Sequence, residues 1–144
     1  MNQIKVLFLC IHNSARSQMA EAYLKEFGGP YFIVESAGLE KGKLNPFAVE
    51  VMKEEDIDIS GNQTKDVDNL FKEGRWYDYV IAVCDEASAA QCPVFPGIHK
   101  KISWSFEDPS SLKGENEEML IRTRQVRDQI KNAVQNFIKE INNT

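Results

Sequence analysis

The chain opens on a nearly unbroken apolar run, Ile4-Lys5-Val6-Leu7-Phe8-Leu9, which predicts a β-strand. A helix-like stretch, Gln18 to Phe27, follows after a short polar loop. The turn Gly28-Gly29-Pro30 leads into a second strand, Tyr31 to Ser36. Asn45-Pro46 reads as a helix cap with proline at the first helical position. That helix runs through Phe47, Val49, Val51 and Met52 to the acidic stretch near Asp56. A short helix around Val67 to Phe71 ends at Gly74, and Tyr77 to Val83 forms a strand that stops at Cys84. The last strand, Ile102 to Phe106, is ended by Glu107-Asp108-Pro109. A C-terminal helix places Val126, Ile130, Ala133, Phe137 and Ile141 on one face, with charges opposite and Glu115, Glu117 and Glu118 at its start.

This alternation predicts an α/β fold in three layers, a parallel sheet of about four strands with helices on both faces. With no repeat, linker or low-complexity segment, residues 1–144 are expected to form a single domain. In such sheets ligands bind beyond the carboxyl ends of the strands. Cys10, Cys84 and Asp108 each follow directly on a predicted strand, so parallel strands would bring all three to one edge.

Charge and composition narrow the partners. A net charge of −5 argues against nucleic acid and anionic membrane surfaces. No stretch is apolar for long enough to span a bilayer, and no signal peptide precedes the first strand. Three cysteines is an odd number, and without a secretion signal redox chemistry in the cytoplasm is the expectation. His99 is expected in a surface turn, and Trp76 and Trp104 in or near the core.

The densest chemistry lies in Cys10-Ile11-His12-Asn13-Ser14-Ala15-Arg16-Ser17. Strand, tight loop and helix succeed one another there, so unpaired N–H groups at the helix start can face a tetrahedral oxyanion. Arg16 adds a planar guanidinium that can grip two of its oxygens. Cys10, at the base of this positive cup, is favoured as the nucleophilic thiolate. Ser17 is placed to cap the helix and to donate a hydrogen bond to that sulfur. His12 is expected to point away from the anion, and Asn13 and Ser14 to brace the loop.

These residues resemble the low-molecular-weight protein tyrosine phosphatase fold and, within it, the thioredoxin-coupled arsenate reductases. The similarity runs through Cys10 to Arg16 with Ser17-Gln18-Met19-Ala20-Glu21, then Val83-Cys84-Asp85-Glu86-Ala87 and Cys92-Pro93, then Trp104 to Pro109. The Cys-x5-Arg loop marks the broader phosphatase group; the Cys84/Cys92 pair singles out the reductases.

The resemblance implies that Cys10 attacks arsenate held by the loop (Ile11, His12, Asn13, Ser14, Ala15, Arg16 and Ser17) while Asp108 protonates the departing hydroxide. It further implies a Cys10–Cys84 disulfide, then a Cys84–Cys92 disulfide that thioredoxin reduces, with no metal or organic cofactor and a monomeric enzyme. Phosphate or sulfate can occupy the same loop. Some relatives bind potassium beside it, at positions similar to Asn13, Glu21, Ser36 and Asp66. The segment between Cys84 and Cys92 contains Ala87-Ser88-Ala89-Ala90 and favours helix. A helix would hold the two Cα atoms about 12 Å apart. A disulfide needs about 4.4–6.8 Å, so oxidation would require unwinding. The alternative is a phosphatase acting on phosphotyrosine or small phosphoesters with Cys10, Arg16 and Asp108. Ser110-Ser111, where phosphatases of this group often carry tyrosines, favours a small inorganic substrate. A third possibility is an oxyanion sensor that uses the cup without turnover.

Overall fold

The computed structural model describes residues 3–84, 100–111 and 113–142. Four strands, β1 (Ile4–Cys10), β2 (Phe32–Gly38), β3 (Tyr79–Ala82) and β4 (Lys100–Ser103), form one sheet in the order β2-β1-β3-β4. Every neighbouring pair is parallel. The helices are α1 (Arg16–Gly28), α2 (Pro46–Lys53), α3 (Val67–Lys72) and α4 (Asn116–Asn142). Two single 3₁₀ turns, Gly29–Tyr31 and Pro109–Ser111, lie between them.

β1 is central, which explains its unbroken apolar composition: both of its faces are covered. Val6, Phe8 and Cys10 face one core with α1, α2 and α4, while Leu7 and Leu9 face another with Val67 and Leu70 of α3. Val6, Leu7, Phe8 and Leu9 are all fully buried, and each contributes about 1.5–3 kcal/mol of apolar burial. Along α4 the buried line is Thr123, Val126, Ile130, Val134 and Phe137. Val134 therefore takes the core position that the periodicity assigned to Ala133, and Ala133 and Ile141 lie at its margin. The Phe137 ring meets Phe32, Tyr79 and Trp104 at centroid distances of 6.2, 5.4 and 6.2 Å.

Several boundaries differ from the sequence expectation. Tyr31 belongs to the 3₁₀ turn, and β2 continues through Ala37 and Gly38 because Gly38 pairs in register with Cys10. β4 ends at Ser103 rather than Phe106, since its partner β3 stops at Ala82; Trp104 N–H to Ala82 O, 2.7 Å, is the last tie to the sheet among the described residues. Trp104 packs against the core as expected, but Trp76 is exposed and instead carries the Lys5 ammonium over its ring at 4.4 Å. His99, Cys92 and the helix expected between Cys84 and Cys92 lie outside the described residues.

Candidate active site

The loop between β1 and α1 lies where the sheet's connections diverge to the two sides of β1, the crevice in which α/β sheets hold ligands. Its carbonyls are bound from outside. Leu39 N–H donates to Cys10 O (3.0 Å), Glu40 N–H to Ile11 O (3.0 Å), Gly42 N–H to His12 O (3.1 Å) and Asn45 N–H to Ser14 O (2.9 Å). Gln18 Nε2 donates to Asn13 O at 3.2 Å. A trans peptide holds each N–H opposite the preceding carbonyl. Five carbonyls turned outward therefore turn the N–H groups of residues 11–15 inward, and the Asn13 N–H reaches Cys10 Sγ at 3.0 Å. Such a ring of inward amides is an anion cradle. Gly38 makes it possible: a Cβ there would stand 2.7 Å from Asn13 N and 2.6 Å from Glu40 O.

Behind the cradle runs a chain of side chains with a defined donor direction. Asn13 Nδ2 donates to Ser17 Oγ (2.7 Å) and to Ser36 Oγ (3.0 Å). Each hydroxyl thereby accepts one bond and spends its own proton elsewhere. Ser17 directs its proton to Cys10 Sγ, 2.8 Å away, and Ser36 donates to Glu21 Oε1 at 2.5 Å. Cys10 Sγ thus receives two donors, which stabilises negative charge on the sulfur. The cap expected from Ser17 is not formed. Ala15 occupies the cap position without a side-chain bond, because the Ser17 hydroxyl faces inward to Asn13 and Cys10.

The positions similar to a potassium site do not fit an ion as arranged. Glu21 Oε2 is held by the Lys25 ammonium at 2.5 Å, and Asn13 Oδ1 accepts Lys65 N–H (2.9 Å) and Gln18 Nε2 (3.1 Å). The Asp66 carboxylate is turned to Asn69, capping α3. Lys25 supplies the positive charge beside Glu21.

Arg16 is buried, with Nη1 donating to Phe106 O at 3.1 Å and Nη2 3.5 Å from Asp108 Oδ2. Contrary to the expectation that it follows directly on the last strand, Asp108 reaches the loop through residues 104–107 beyond β4. Its Oδ1 accepts the Ser110 N–H at 2.9 Å. The Ser110 hydroxyl accepts from Asn45 Nδ2 (2.9 Å) and bonds Ser14 Oγ (2.9 Å). Cys84 is buried two residues beyond β3 and packs with Ala82 and with Ile11 of the loop. The His12 ring faces outward, with Nε2 2.7 Å from Glu40 Oε1.

Cys10, Arg16, Cys84 and Asp108 are therefore gathered at one edge, while Cys92 lies outside the described residues. Sequence reasoning passed over Gly38, took Gln18 only as part of the matching motif, and read Ser110 only for its bearing on substrate size. A glycine at a strand end and a serine after proline look like ordinary turn residues, and only the loop packed against them gives them a task.

The sequence matches the low molecular weight phosphotyrosine protein phosphatase family over residues 5–144. An arsenate reductase of Bacillus subtilis (strain 168) is 42% identical over 134 residues, spanning 92% of this chain and 93% of its own. A solved structure of an arsenate reductase in the phosphate binding state superposes with a TM-score of 0.76 at 36% identity, over 96% of this chain and 99% of that one. The Corynebacterium glutamicum thioredoxin-dependent arsenate reductase is similar over 94% of this chain and 63% of its own, at 27% identity and a TM-score of 0.60.

Proposed function

The chain belongs to the low molecular weight phosphotyrosine protein phosphatase family, and we propose that within it the protein is an arsenate reductase. The observation that carries this reading is the second thiol. Cys84 is buried against Ile11, beside the loop that holds Cys10, where hydrolysis of a phosphoester has no use for it.

Arsenate enters the cradle, its oxygens held by the inward amides and the Arg16 guanidinium. The Cys10 thiolate attacks arsenic, an As–O bond breaks, and Asp108 supplies the proton with which the oxygen leaves as water. Cys84, as thiolate, then attacks the Cys10 sulfur. The S–As bond breaks with its electron pair going to arsenic, which leaves as arsenite, and the two sulfurs form a disulfide. Cys92 displaces Cys10 from Cys84, and a thioredoxin dithiol reduces the resulting Cys84–Cys92 disulfide. Each arsenate takes up two electrons, and each turn ends with three reduced cysteines. The name of the Corynebacterium relative supports thioredoxin as the reductant, and a relay that starts from thiols suits a reducing cytoplasm.

The test is arsenate-dependent NADPH oxidation with thioredoxin and thioredoxin reductase, with aryl phosphate hydrolysis measured alongside. Turnover lost in Cys10→Ser, Cys84→Ser and Cys92→Ser supports the relay. Hydrolysis that needs Cys10 but not Cys84, without arsenate turnover, would overturn it in favour of a phosphatase.

A further inference from the structure

We propose that Ser110 is a positioning residue whose hydroxyl clamps the Asp108 segment onto the oxyanion loop. The proposal rests on the role assigned above to Asp108. Beyond Trp104 the chain leaves the sheet, and among the described residues no strand pairing fixes where Asp108 stands. Among the described residues, side chains connect this segment to the loop by two routes. One is Arg16, which reaches both Phe106 O and Asp108 Oδ2 through the guanidinium that also serves the substrate. The other is the Ser110 hydroxyl, which does not compete with the substrate.

The geometry of the second tie is defined at every atom. Asn45 Oδ1 accepts Phe47 N–H (2.8 Å) and Ala48 N–H (3.3 Å) as the cap of α2, which leaves its Nδ2 facing Ser110. Ser110 Oγ therefore joins the start of α2 to Ser14 inside the loop, while its own N–H holds Asp108 Oδ1. Ser110 is itself exposed, but Asn45 and Ser14 are buried, so the hydroxyl meets fixed partners. With it in place, Asp108 stands over the same loop that carries Cys10 before substrate arrives, and positioning of this kind acts on rate more than on affinity.

The experiment is a mutant cycle with Ser110→Ala, Asp108→Asn, the double variant and Ser110→Thr, each checked for unchanged thermal unfolding. Loss of one such hydrogen bond corresponds to a factor of about five. Ser110→Ala is expected to lower kcat by about that factor with KM for arsenate within about twofold, the signature of an interaction that acts on the chemical step. Ser110→Thr, which keeps the hydroxyl, restores the rate, and Ser110→Ala adds nothing in the Asp108→Asn background. An unchanged kcat, a change in KM alone, or a full further loss in the Asp108→Asn background would overturn the clamp. The same cycle run on aryl phosphate hydrolysis separates the two readings. If wild-type protein hydrolyses the ester without reducing arsenate, the reductase assignment fails while the clamp is still tested on the shared Cys10 and Asp108 chemistry.

Discussion

Asn13 stands at φ +56°, a left-handed conformation that asparagine tolerates better than most residues. Its side chain gives both amide protons, to Ser17 and Ser36, and its oxygen takes Lys65 N–H and Gln18. Backbone conformation and proton direction at Cys10 are thus set by one residue, and two substitutions separate them. Asn13→Ala keeps the strained conformation, which costs a side-chain-bearing residue about 1–2 kcal/mol. Asn13→Gly relieves that strain while removing the same hydrogen bonds. Chemical unfolding should find the glycine variant more stable than the alanine variant by about 1 kcal/mol. Alkylation of Cys10 by iodoacetamide at pH 7 should be slowed about tenfold or more in both, since a hydrogen bond that holds a charged group is worth about 1.5–3 kcal/mol. Recovery of wild-type alkylation in Asn13→Gly would show that the amide has no part in orienting Ser17. The cysteine loop was legible in the sequence because strand, Cys-x5-Arg and helix are contiguous. The Ser17 bond to the sulfur was expected there too; the Asn13 side chain that directs it was not, because Asn13 is held by Ser36 and Lys65 from distant parts of the chain.

At the scale of elements, the cap of α2 and the rim of the site are the same residue. Asn45 ends the segment that binds the loop carbonyls and starts α2 with two bonds to its side-chain oxygen, as the Asn45-Pro46 pair predicted. Its nitrogen does something a capping residue is not asked to do, holding Ser110. Asn45→Asp keeps an oxygen for the cap and loses the donor, whereas Asn45→Ala loses both. Thermal or urea unfolding should show Asn45→Asp close to the parent and Asn45→Ala less stable by about 1 kcal/mol. Both should turn over arsenate more slowly, at the level of Ser110→Ala. An Asn45→Asp enzyme as fast as the parent would mean that the amide nitrogen carries no weight at the site. The misplaced end of β4 belongs to this scale as well. Trp104 and Phe106 continue the apolar alternation of a strand, but they pack on the core while the chain departs to carry Asp108 across the loop. Periodicity reports which side chains are buried; it does not report whether the neighbouring strand is long enough to pair.

Across the whole molecule, the C-terminal end of α2 is fastened to α4 on the side away from its capped start. Arg124 grips Glu54 through Nε and Nη2 at 2.8–3.0 Å, Arg127 reaches Glu54 and Val51 O, and Lys131 meets Glu55 at 2.8 Å. The buried Tyr23 phenol donates to Glu55 as well, at 3.1 Å. Hydrogen bonds from Arg124 hold the Glu54 carboxyl below its ordinary range, and the bond from Lys131 does the same for Glu55. A carboxylate whose folded pKa is lowered stabilises the fold fully above its unfolded value, about 4.3, and loses that contribution as pH falls through the lowered folded value. Glu55→Gln keeps an acceptor for Tyr23 and removes the charge. It should cost about 0.5–1 kcal/mol in urea unfolding at pH 7, in keeping with a partly exposed pair. The gap between variant and parent should begin to close as pH falls below the unfolded value of about 4.3, and close further as the parent's carboxylate takes up its proton. Raising the salt at pH 7 should narrow it in the same direction. A gap of equal size at pH 7 and pH 3 would assign the loss to packing of the amide rather than to charge. Arsenate turnover at pH 7 should be unaffected, since Glu55 fastens the end of α2 remote from Asn45 and leaves the oxyanion loop and its Ser110 tie in place.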